Sequence, residues 1–155
     1  MLRTETRLIA AAAATWALLG AAPARACTIT TTAVAYGTYN PQAVGADDGT
    51  GTIALACHPS VDSPNVAIGT GGSGTFSPRR MSNGVSTLDY NLYTTTARTV
   101  VWGDGTAGTS TVTLSGGSVS GGVRRFSRTV FGRIPALQNV TAGIYGDTVI
   151  VTVTF

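Results

Sequence analysis

The last seven residues alternate in a period of two. Val149, Val151, Val153 and Phe155 fall on one side, and Ile150, Thr152 and Thr154 on the other. This is the pattern of a half-buried β-strand, and no turn signal follows it. A strand with one apolar face needs a sheet to lie in and something along its edge, because bare edges pair indiscriminately. That requirement constrains the fold more than any other stretch of the chain.

The rest of the sequence after Ala26 is written in the same style. Short runs rich in Thr, Val and Ile recur about every ten residues: "TITTTAVAY", "TIALAC", "NVAIGT", "TLDYNLYTT", "TVVWGDG", "STVTLSGG", "RTVFGRI" and the terminal run. Gly, Asn, Asp and Pro separate them, and no long helical periodicity appears. Strands at this spacing with turn residues between them predict an all-β sandwich or barrel. "GTYNPQAVGADDGTG" reads as a loop, and the Gly/Ser-rich residues 115–123 as a long hairpin loop. No internal repeat or domain boundary is visible, so residues 27–155 are expected to form one domain.

The first 26 residues read differently. Arg3 and Arg7 precede an apolar run from Leu8 to Ala22, and Ala24-Arg25-Ala26 is an A-x-A cleavage pattern. These are the parts of a secretory signal peptide, and the run is too short to span a membrane. Of the 10 basic and 7 acidic residues, Arg3, Arg7, Arg25 and Glu5 lie in this leader, leaving seven Arg against six Asp. A nearly neutral mature chain gives no ground for nucleic acid or anionic lipid as a partner. Two cysteines remain, Cys27 and Cys57. In a chain bound for an oxidising compartment, a disulfide between them is the expected state.

Catalytic chemistry has few candidates. His58 is the sole histidine and adjoins Cys57, which argues against a multi-histidine zinc site or a Ser-His-Asp arrangement. Asp47, Asp48, Asp62 and Asp104 sit in turn-like sequence, where Asp serves the backbone. Arg124, Arg125 and Arg128 read as a solvated strand edge. No enzyme, cofactor or metal is expected.

Several stretches, in this order, resemble the spore coat protein U family: Cys27, "AYGTYNP" at 35–41, Cys57, "RRMSNGVSTLDYNLY" at 79–93, "VWGDGT" at 101–106 and "AGIYGDTVIVTVTF" at 142–155. That family includes the pilin subunits of archaic, Csu-type chaperone–usher pili. The resemblance covers essentially all of the mature chain. It implies an immunoglobulin-like β-sandwich lacking its final strand, with one disulfide. It also implies a hydrophobic groove along the C-terminal strand, with Val149, Val151, Val153 and Phe155 on its floor. A periplasmic chaperone fills such a groove first; a neighbouring subunit's donated strand then replaces it in the fibre, at an outer-membrane usher. The implied location is the cell surface, reached through the periplasm.

Shaft subunits of the family carry a donor strand ahead of the first cysteine, whereas here the leader directly adjoins Cys27. The expectation is therefore a subunit that accepts a strand and donates none, at the tip of the fibre. Two other readings of the residues stay open. One is a self-contained secreted coat protein with a complete sandwich. The other is a carbohydrate-binding module presenting Tyr36, Tyr39, Tyr93 or Trp102, although Trp102 reads better as core.

Overall fold

The computed structural model of the protein describes residues 27–155, so the leader reading of residues 1–26 falls outside it. Nine strands form: β1 (Cys27–Ala35), β2 (Asp47–Cys57), β3 (Asn65–Ile68), β4 (Arg79–Ser82), β5 (Thr87–Tyr93), β6 (Val112–Thr113), β7 (Ser118–Ser120), β8 (Val123–Ile134) and β9 (Val151–Thr154). They build two antiparallel sheets, ordered β1-β2-β8-β5-β4 with β7 beside β8, and β6-β3-β9. The all-β sandwich expected from the sequence is the fold, and Cys27 and Cys57 are joined in a disulfide.

Alternation explains the core. On β2 the residues Ile53, Leu55 and Cys57 turn inward, with Leu55 opposite Phe126, and Val130 and Ile134 of β8 are buried further along that strand. Leu88 and Leu92 of β5 continue that layer, and Val66 and Ile68 of β3 face it from the second sheet. Trp102 is wholly buried among them, with its Nε1 donating to the Val66 carbonyl at 3.0 Å.

Four local expectations are corrected. Strand β2 begins at Asp47, inside the segment read as loop, because Gly49 and Gly51 are close-approach positions and not turn residues. A Cβ on Gly51 would lie 2.7 Å from the Thr32 carbonyl oxygen and 2.9 Å from Val34. Residues 115–123 contain β7, which pairs with β8 across the Gly121-Gly122 turn, both glycines at positive φ. "TVVW" contributes isolated bridges at Val101 and Trp102 and no strand. Finally, the arginine cluster is not one open edge, since Arg124 and Arg125 lie between β2 and β7, and Arg128 alone stands on a stretch of β8 paired only with β2. The long side chains reach polar partners at the sheet margin instead. Arg124 pairs with Asp62 at 2.8 Å and donates to the Pro59 carbonyl at 2.9 Å, and Arg128 donates to the Thr94 carbonyl.

The two sheets are stitched together on the β5–β4 side in two places. Ser82 at the end of β4 exchanges two backbone hydrogen bonds with Gly146, just before β9, at 2.9 and 3.1 Å. At the last residue of β5, Tyr93 bridges to Val101, and Trp102 bridges to Ser110 on the way into β6. No corresponding bridge joins β9 to β1 among the described residues.

Candidate functional site

The unclosed seam between β9 and β1 is the candidate site. Strand β9 pairs with β3 alone, with Val151 opposite Ile68 and Val153 opposite Val66. The carbonyl of Ile150 accepts from Gly69 N–H at 2.8 Å. Antiparallel pairing alternates, so Thr152 and Thr154 also direct their backbone groups to β3. Val149, Val151 and Val153 then present N–H and C=O to the opposite side, where nothing pairs with them among the described residues. Their side chains meanwhile pack half-buried on the core.

Strand β1 forms the other lip. Its register sets Cys27 against Cys57, Ile29 against Leu55 and Thr31 against Ile53. The Cα atoms of the cystine are 4.0 Å apart, the close spacing of a pair that exchanges no backbone hydrogen bonds. Cys27, Ile29 and Thr31 therefore turn their backbone groups away from β2, toward the seam. Their side chains share the core face with Leu55 and Ile53, which are 2 % exposed, yet Ile29 is 40 % exposed. Among the described residues, no strand closes over this core-facing isoleucine.

After a register shift between Thr32 and Ala35, the chain crosses over the inner face of the larger sheet. Val34 and Tyr36 lie on a floor of Gly49, Gly51 and Gly132, where any side chain would collide with them. The Tyr36 hydroxyl is buried there without a hydrogen-bond partner, and burial, then the nearby Tyr93, pushes its pKa well above the usual tyrosine range. Beyond this floor the seam widens into a cleft of about 830 Å³ between residues 33–39 and 140–147, with Met81, Leu88 and Ile134 at its base.

Two polar arrangements hold the lip formed by β9. Asp147 accepts from Gly72 N–H at 2.9 Å, from Thr148 N–H at 2.8 Å and from the Tyr90 hydroxyl at 2.7 Å. Burial and that bond to Asp147 raise the Tyr90 pKa strongly. Beneath, the fully buried Arg79 donates to the carbonyls of Gly69, Ile68 and Trp102 at 3.0, 3.3 and 2.7 Å, and to Asn91 Oδ1 at 2.7 Å. Its guanidinium also lies 5.0 Å from the centre of the Phe76 ring. Desolvation lowers its pKa, but an arginine stays charged.

Of the residues singled out in the sequence, Cys27 and Cys57 are brought together and Val149, Val151 and Val153 line one lip. Phe155 lies one residue past β9 and is 55 % exposed. The four aromatics are not gathered on one surface. Trp102 is core, Tyr36 and Tyr39 pack against the core, and the Tyr39 hydroxyl is engaged with Pro135 and Gln138. His58 is exposed and bonds locally to Ser60. Sequence reasoning missed Arg79, Asp147 and the glycine floor. The "GDTV" ahead of the terminal alternation marked Asp147, but nothing local distinguished Arg79 from the exposed Arg80.

Comparison with known proteins fits this architecture. Residues 12–152 match the Spore Coat Protein U domain family. Over 133 residues the chain is 36 % identical to Protein U of Myxococcus xanthus, covering 77 % of this chain and 70 % of that protein. Among solved structures, it resembles the CsuC–CsuE chaperone–tip adhesion subunit pre-assembly complex from archaic chaperone–usher Csu pili of Acinetobacter baumannii. The TM-score is 0.59 at 21 % identity, covering 83 % of this chain but 39 % of that one, so the likeness is one of fold. The chain belongs to the Spore Coat Protein U domain family.

Proposed function

We propose that this protein is a non-enzymatic structural subunit of a secreted surface fibre of the archaic chaperone–usher kind, assembled by strand donation. The observation that carries this reading is the seam itself. Backbone donors and acceptors of β1 and β9 face each other across an opening with an apolar floor, as β-strand addition requires. A periplasmic chaperone would occupy the seam first and a neighbouring subunit's strand would follow. Val149, Val151 and Val153, with Phe155 beyond them, provide the alternate side-chain positions that fix the register.

Expression in the periplasm with and without a cognate pilus chaperone, followed by size-exclusion chromatography, tests this. A one-to-one complex is expected, with a lower yield of soluble chain when it is expressed alone. A stable monomer indifferent to the chaperone would instead describe a self-contained coat protein. Tip placement is the finer part of the proposal and turns on the mature N-terminus. Mass spectrometry finding Cys27 first is expected; ten or more residues ahead of it would assign the subunit to the shaft.

A further inference from the structure

The outer face of the larger sheet, turned away from the seam, carries a pattern that strand donation does not use. Register places Thr30, Ala54 and Ser127 in one row across β1, β2 and β8. The next row is Thr28, Ala56, Arg125 and Ser118, reaching β7, and on the other side of the first lie Thr32, Thr52 and Thr129. The two alanines are sunk between longer neighbours and form the floor of a shallow cleft of about 340 Å³. Thr30 walls it on one side, and Ser127, Arg125 and Ser118 on the other. Leu55 and Phe126, whose side chains turn to the core, complete its lining.

Charge on this face is one-sided. Arg125 is exposed, and the one hydrogen bond of its side chain among the described residues is long, 3.5 Å to the Ser120 carbonyl. Among the same residues no carboxylate pairs with it, whereas Arg80, Arg98, Arg124 and Arg133 each have one. Asp48 shares the face at the far end of β2, where Arg133 already holds it at 2.7 and 2.9 Å. Arg124 and Arg128 stand on the opposite parity of β8. A nearly neutral chain thus presents an uncommitted guanidinium over a floor of small residues, ringed by hydroxyls.

Ser and Thr hydroxyls both donate and accept, as sugar hydroxyls do, and a guanidinium grips a carboxylate with two parallel bonds. A nucleic acid would call for aromatic stacking and several phosphate contacts, and a bilayer for exposed apolar side chains; the walls of this cleft offer neither. We propose that the cleft binds a uronate unit of an acidic polysaccharide, with Arg125 on the carboxylate and Thr30, Ser118 and Ser127 on the ring hydroxyls. The face points away from the seam, so this binding is independent of strand capture.

Titration of the isotope-labelled full chain with a galacturonic-acid hexasaccharide, followed by NMR, tests it. Shifts should cluster at residues 28–30, 54–56, 118 and 125–127, and binding should weaken with added salt. The same hexasaccharide with its carboxyls reduced to alcohols should bind about tenfold more weakly. Arg125→Gln should weaken binding of the acidic form about tenfold. Arg128→Gln, an equal loss of charge on the opposite parity, should leave it unchanged. Equal losses in the two variants would mean diffuse charge attraction and overturn the site. Equal affinity for the acidic and reduced forms would overturn it as well. So would an absence of shifts on this face, or tighter binding of a DNA oligonucleotide or of phosphatidylglycerol vesicles.

Discussion

Arg79 and Gly69 are joined by a hydrogen bond from the guanidinium Nε to the glycine carbonyl, 3.0 Å long, in the fully buried centre of the protein. The N–H of the same glycine reaches the Ile150 carbonyl at 2.8 Å. A buried cation thus stands one peptide away from the strand that forms the lip of the open seam. All four of its hydrogen-bonding partners are neutral oxygens, so carbonyl dipoles take the place of a counter-ion.

Replacing that side chain should be severe. An Arg79→Met variant keeps much of the volume but strands the carbonyls of Ile68, Gly69 and Trp102 without donors. The expected loss is about 3 kcal/mol or more, read as a lower urea midpoint. Arg79→Lys should not restore stability, because an ammonium cannot reproduce the planar fork.

The disulfide secures the other lip. Cys27 opens β1 and is tied to Cys57 at the end of β2, with a sequence separation of 30. Replacing both by Ser should cost about 3–4 kcal/mol in the chain-entropy treatment. Thermal denaturation under non-reducing conditions measures the difference, and added reductant should bring the parent protein down to the variant.

How far the sequence disclosed these features depends on whether the signal was local. The terminal strand, the disulfide and the alternation of β5 were legible because period-two patterning and cysteine pairing are properties of adjacent residues and compartment. The glycine floor was not. Gly49 and Gly51 sit beside Asp47 and Asp48, so they read as a turn until Val34 and Tyr36 are seen lying on them. Arg79 and Arg80 are neighbours with opposite fates, one buried and one in an exposed pair with Asp89, decided by the parity of β4 against β5. The open seam was an expectation drawn from a family resemblance, and only the topology displays it.

Alkaline stability should report the two buried tyrosines. Tyr36 and Tyr90 have folded pKa values raised above the ordinary 10.0, first by burial in both cases. Below about pH 10 both are protonated whether the chain is folded or not, and this contribution is fully present. As pH rises further the unfolded chain releases protons that the folded chain keeps, so stability falls toward the raised values. Of the five tyrosines, these two should remain un-ionised in an ultraviolet titration until the protein unfolds.

A carboxylate in the seam should block strand capture without preventing folding. Val151 is half-buried on the core side of β9. A Val151→Asp variant would place an unpaired charge beneath any incoming strand, and chaperone co-purification should be lost. Val151→Thr, of nearly the same shape, should retain it. Equal capture by the Asp variant would mean that the incoming strand does not cover this residue.

Amide hydrogen exchange along the terminal strand tests the central claim most directly. In the isolated protein, the amides of Thr152 and Thr154 should be protected by β3, while those of Val149, Val151 and Val153 exchange freely at the open edge. Binding of a donor strand should protect the three valines and leave the threonines unchanged. If the valine amides were already protected in the isolated chain, the edge would be covered and the seam closed, contradicting the account.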